Sequence, residues 1–218
     1  MKLTDLTIAF MGDSLTEGIG ASSPEKSYPS VFQEITDIKK ALNYGLSGTR
    51  IARQTKTFMH YSQWDRDFIS RVDEISESAD CVVICGCAND YMHGDAELGK
   101  FDDRGEYTFY GAMHILINAL KERFPNKPLI FMTPSNILAD KSPERAHINK
   151  GYHFDEYLSA VKEVCAYYEV PVFDLHSVWG LDPENEEDRK LYYSDDSHLN
   201  DKGYRRMAEM LAEFMIKE

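Results

Sequence analysis

Gly12-Asp13-Ser14-Leu15 near the start of the chain and Asp195-Asp196-Ser197-His198 near its end hold, between them, the parts of a nucleophilic site. A hydroxyl is a weak nucleophile until a general base takes its proton. The base works best when a carboxylate fixes its tautomer and steadies its positive charge. Ser14, His198 and Asp195 are the candidates for those three roles. Asp195 is preferred to Asp196 because a spacing of three places it over the same helical face as His198. Gly-Asp-Ser alone is ordinary turn chemistry and Asp-x-x-His is common on helices, so the joint placement carries the reading of a serine hydrolase. Acyl transfer also needs donors aimed at the oxyanion of the tetrahedral intermediate. The backbone N–H groups of Ser14 and Gly48 and the side-chain amide of Asn89 are the candidates, and glycine at 48 lets the backbone come close without a Cβ in the way.

Secondary elements must bring these residues together. Apolar runs at 6–11, 81–85, 129–132 and 170–173 lack strict alternation, as strands buried on both faces do, and a weaker strand is expected at 38–43. Helical patterns fall at 29–35, 64–76, 107–124, 153–168 and 201–217. Such alternation predicts an α/β fold: a five-stranded parallel sheet covered by helices on both sides, a three-layer α/β/α sandwich. In open parallel sheets ligands bind outside the carboxyl ends of the strands. Each candidate motif either follows a strand or, for 195–198, immediately precedes the last helix. The polar insertions 92–106 and 138–151 are of the kind that shape a cleft. Candidate substrate-contacting residues in the strand-end loops are Asp13, Tyr91, His93, Asn136, His153 and Trp179. For Asp13 the stronger expectation is that it orients the turn around Ser14. For the aromatics, core packing explains their presence at least as well, and a lone loop histidine is more often hydrogen-bonded locally.

Composition bounds what the site can serve. A chain of 218 residues with 43% hydrophobic side chains is expected to fold as a single domain over 1–218. Its net charge of −13 repels phosphate backbones and anionic lipid surfaces, so a nucleic-acid partner is not expected. No run approaches the roughly 20 apolar residues that span a bilayer, which predicts no membrane insertion and a cytoplasmic location. Cys81, Cys85, Cys87 and Cys165 do not have the spacing of a disulfide framework or a zinc ribbon. Cys85 and Cys87 fall on one face of a predicted strand but lack two further ligands, so neither a metal nor a cofactor is expected. The acidic run 181–189 reads as a solvated loop or helix start. Gly94 to Lys100 imitates a phosphate loop, but Phe101 stands where Ser or Thr should be. Gly-x-Ser-x-Gly, His-Glu-x-x-His and Gly-x-Gly-x-x-Gly motifs are lacking, and a homo-oligomer is compatible with the sequence.

Together, Ser14 in Gly12-Asp13-Ser14-Leu15, Gly48 in Asn43-Tyr44-Gly45-Leu46-Ser47-Gly48, Asn89 in Ala88-Asn89-Asp90, and His198 with Asp195 resemble the four blocks of the GDSL, or SGNH, hydrolase family. The resemblance covers nearly the whole chain. It implies a flavodoxin-like sandwich, Ser14 as nucleophile, His198 as base, Asp195 as its carboxylate partner, and an oxyanion hole of Ser14, Gly48 and Asn89. Two blocks depart from the family pattern. The third more often reads Gly-x-Asn-Asp, whereas Gly86 here lies one position early; and Leu199 replaces the proline common after the histidine. The stretch Asn89 to Asp95 is similar to a bacterial subgroup described mostly as carbohydrate or general acyl esterases. The expected activity is hydrolysis of a small or carbohydrate-linked acyl ester. Three alternatives stand beside it: acyl transfer from the same serine, a carbohydrate-binding module without catalysis, and a metal-dependent phosphohydrolase built on Asp13, Asp195, Asp196 and His198.

Overall fold

The apolar runs form a five-stranded, all-parallel sheet in the order β2-β1-β3-β4-β5, with β1 Thr7–Gly12, β2 Lys40–Gly45, β3 Cys81–Cys85, β4 Leu129–Met132 and β5 Val172–Phe173. The computed structural model describes residues 3–57, 62–138 and 151–217. β1, β3 and β4 are buried at every position, which is why their sequences do not alternate. β2 is an edge strand with no buried residue; it begins two residues later than expected and carries the exposed Lys40 and Asn43 in its ladder. Register sets Gly12, Gly45, Cys85, Met132 and Phe173 in one row, so the loops that follow them leave from a common edge.

Helices cover both faces. On one, α2 (Tyr28–Thr36) and the C-terminal helix (Asp201–Lys217) pack together over Ile8, Phe10, Val83 and Ile130, through Tyr28, Phe32, Tyr204, Met207 and Leu211. On the other, the helices Phe109–Arg123 and Phe154–Tyr167 pack over Ala9, Met11, Val82, Ile84 and Phe131, through Phe109, Met113, Leu116, Tyr157 and Val161. Successive strand residues alternate between the two cores, as the pleat requires, giving a three-layer α/β/α sandwich.

Three local differences from the sequence expectations have physical causes. Residues 64–76 form two short 3-10 segments, Ser62–Asp65 and Ile69–Glu74, instead of one helix. Tertiary ties divide them: Phe68 N donates to the Arg50 carbonyl and Asp67 accepts from Ser70 N. The short helices α1 (Ser14–Glu17) and α3 (Ala88–His93), which follow β1 and β3 directly, are too brief to show a period in sequence. The acidic run is a helix start, one of its two expected forms: the helix Glu186–Tyr192 is capped by the Asn185 side chain, with Glu186, Glu187 and Asp188 in its first turn where the helix dipole favours them. Cys87 does not share a strand face with Cys85: β3 ends at Cys85, and Cys87 is the N-cap of α3 with φ of 99°. All four cysteines are buried, and none forms a disulfide among the described residues. Most of the insertion 138–151 lies outside the described residues.

Candidate active site

Ser14 is the first residue of α1, placed at the carboxyl end of β1 by a tight turn. Asp13 makes that turn. Its buried carboxylate accepts the Leu15 N–H at 3.0 Å and caps the helix, which leaves Ser14 at the N-terminal end where backbone N–H groups have no intrahelical partner. Burial raises the Asp13 pKa to about 6, against the Leu15 hydrogen bond and nearby His198 and Arg71, which lower it. The helix sits tightly on the sheet edge: a β-carbon at Gly45 would lie 2.0 Å from the Glu17 nitrogen.

The loop after β2 carries Gly48 and is held from two sides. Buried Arg71 donates through Nη1 to the Gly12 carbonyl (3.1 Å) and to Thr49 Oγ1 (2.9 Å), and through Nη2 to the Tyr44 carbonyl. Burial lowers its pKa to about 10. From the β3 side, the Asp90 carboxylate accepts Ile51 N at 2.9 Å and Ala52 N at 2.8 Å. Burial pushes Asp90 up to about 7 in spite of these bonds. Gly48 itself has φ of 75°, and the Trp64 indole lies against its α-carbon. Asn89, in the first turn of α3, gives one amide hydrogen to the Thr49 carbonyl at 3.2 Å, and its NH2 retains a second.

His198 comes from a closed loop, not from a helix face. Tyr193 and Leu199 pair as an antiparallel bridge, Ser194 N donates to the His198 carbonyl, and Asp195 Oδ1 accepts Ser197 N (2.7 Å) and His198 N (2.8 Å). The three-residue spacing therefore works through a turn. Both Asp195 oxygens lie within reach of His198 Nδ1, at 3.0 and 2.9 Å. Burial would raise the Asp195 pKa, but the hydrogen bonds from the His198 ring and from Ser197 N, with the His198 charge, hold it below the usual carboxylate value.

Ser14, Gly48, Asn89 and His198 all line one cavity of about 480 Å3 at the carboxyl edge of the sheet, within the range of small-molecule sites. Asp13 and His93 also line it; Asp195 stands behind His198. Among the described residues no hydrogen bond joins the Ser14 hydroxyl to the His198 ring, whose Nδ1 is engaged with Asp195. Four other candidates sit elsewhere. Tyr91 is buried among Phe154 and Tyr157. Asn136 offers its carbonyl to the Tyr193 hydroxyl, His153 begins the helix at Phe154 with its N–H on Glu156, and Trp179 is fully buried, with Nε1 donating to Tyr193 at 2.7 Å. The sequence reading missed Trp64, Gln63, Met92 and Ile137 in the wall and Arg50 and Arg71 beneath it. Trp64 and Arg71 fall in the stretch read as one helix, and no motif marks the others. Among the described residues, no group of three or more His, Cys, Asp and Glu side chains is placed to hold a metal ion. No helix there is long and apolar enough to cross a membrane.

Residues 10–206, which contain all four blocks, match the sequence profile of the GDSL-like Lipase/Acylhydrolase family. No curated protein matches the chain. One solved crystal structure is 32% identical, covers 98% of this chain and 97% of its own, and superposes with a TM-score of 0.85. A protein of Lactobacillus plantarum is 26% identical over 98% of both chains, with a TM-score of 0.82. A salicylyl-acyltransferase from a tetracycline biosynthetic pathway shares the fold at 18% identity and a TM-score of 0.70, over 98% of this chain and 55% of its own. Sheet order, the placement of the blocks and the extent of the family match agree: the chain belongs to the GDSL-like lipase/acylhydrolase family.

Proposed function

We propose that the protein is a metal-independent serine ester hydrolase that cleaves a small or carbohydrate-linked acyl ester. The observation that carries this is the Asp195–His198 pair set on the cavity that Ser14 lines. With Nδ1 held by a carboxylate, the neutral imidazole keeps its proton there and presents Nε2 as the base. Nε2 takes the Ser14 proton as Oγ attacks the ester carbonyl, and the C=O electron pair moves onto oxygen. Ser14 N–H, Gly48 N–H and the second amide hydrogen of Asn89 stabilise that oxyanion. The carbonyl re-forms, the C–O bond to the alcohol breaks, and the imidazolium protonates the departing alkoxide. Water, deprotonated by His198, then releases the acid and restores Ser14. Ser14→Ala should lower kcat/KM for short aryl esters by at least about a thousandfold with an unchanged unfolding midpoint; wild-type-like turnover would refute the proposal. Activity that survives a chelator would set the phosphohydrolase alternative aside.

Acyl transfer uses the same intermediate with an alcohol in place of water. The acyltransferase that shares this fold gives that reading its place, and an ester product formed when an alcohol is added would favour it.

A further inference from the structure

The catalytic proposal leaves one built feature of the cavity without a role, the ring pair Trp64–His93. The two residues stand on different elements, the segment Ser62–Asp65 and the last turn of α3, yet their rings stack at 5.9 Å with planes 27° apart. One buried guanidinium ties the backbones that carry them: Arg50 Nη2 donates to the Trp64 carbonyl at 2.5 Å and Nη1 to the His93 carbonyl at 3.4 Å. The indole also lies against Gly48, where an added β-carbon would come 2.3, 2.4 and 2.5 Å from Cδ1, Nε1 and Cγ. A large ring is thus fixed beside a backbone N–H assigned to the oxyanion.

The two arms of the substrate can be given sides. The leaving alcohol has to face His198, which protonates it. His198 is joined to Leu199, packed in the core on the α2 face of the sheet, whereas Met92, which lines the cavity with Trp64 and His93, belongs to the core on the opposite face. Placed opposite the alcohol, an acyl group on Ser14 would run toward Trp64, His93 and Met92, which line the same cavity. We propose that Trp64, braced by Arg50 and His93, closes the acyl pocket and makes the enzyme selective for short acyl groups, acetyl to butyryl. This rests on the acyl-enzyme at Ser14.

The test is kcat/KM for p-nitrophenyl acetate, butyrate and octanoate with the wild type, Trp64→Ala and Trp64→Phe, each also assayed for fluorophosphonate labelling at Ser14. The wild type should fall about tenfold or more from butyrate to octanoate, and Trp64→Ala should raise its octanoate-to-acetate ratio about tenfold or more, the discrimination that a few methylenes in a pocket provide. Trp64→Phe should keep the wild-type ratio. A labelled Trp64→Ala with an unchanged ratio, or a wild type that accepts octanoate as readily as butyrate, would overturn the acyl-pocket assignment alone. A folded wild type that takes no label would overturn the Ser14 reading beneath it. Should Trp64→Ala fail to fold, His93→Ala removes the stacking partner and should shift the ratio the same way by a smaller factor; no shift there counts against the proposal.

Discussion

Asn89 serves two carbonyl oxygens in this account, the Thr49 carbonyl it already holds and the oxyanion that forms only during reaction. Its removal should therefore act on the transition state. Asn89→Ala is expected to lower kcat about a hundred- to a thousandfold with little change in KM, and steady-state kinetics on a short aryl ester would show it; a rise in KM alone would contradict the assignment. Asp13 makes a different prediction. Its folded pKa, about 6, lies above the ordinary 3.8 because the carboxyl is buried. Stability tied to its protonated form is thus fully present below about pH 4 and is lost as pH rises through about 6. Asp13→Asn keeps an acceptor for Leu15 N without the charge. Relative to the wild type it should become more stable as pH rises across that window, by an amount on the order of 1–3 kcal/mol. Urea unfolding at the two ends of the window measures this, and an equal difference at both ends would sink it.

At the scale of elements, the site depends on how the loop after β2 is fastened. Arg71 reaches from the segment Ile69–Glu74 to carbonyls at the β1 and β2 ends and to Thr49 Oγ1 in the loop after β2, and Asp90 holds the same loop from α3. Arg71→Leu would strip buried carbonyl and hydroxyl groups of their donor and should destabilise the fold by about 2–4 kcal/mol, read from the denaturant midpoint; an unchanged midpoint would show that the staple is dispensable. These staples were not legible in the sequence. The strands β3 and β4 could be read to the residue, since total burial writes itself as an unbroken apolar run, and the long helices to within two residues at either end. The short elements could not, because their form is set by partners far away in sequence: Asp67 and Arg50 break up 64–76, and a turn, not a helix, joins Asp195 to His198. The cavity-lining Ser14, Gly48, Asn89 and His198 were legible because each sits where a motif meets a strand end or precedes the last helix. Trp64 was not, since its place over Gly48 depends on Arg50.

Across the whole molecule, five parallel strands end in one row, and a chain of net charge −13 folds around the cavity at that edge. Among the described residues that line it are Asp13 and Glu17 but no lysine or arginine. Esters that carry a carboxylate, such as a hemisuccinate, should have lower kcat/KM than the matching neutral ester, and the gap should narrow as added salt shortens the Debye length. A gap insensitive to salt would place the discrimination in pocket shape instead. The proposed activation of Ser14, on which everything else depends, is tested most directly by intact-protein mass spectrometry after incubation with a fluorophosphonate. The wild type should gain one adduct, Ser14→Ala none, and His198→Ala one that forms far more slowly. A folded wild type that stays unmodified, or a Ser14→Ala variant that labels like the wild type, would contradict the assignment of Ser14 as the nucleophile.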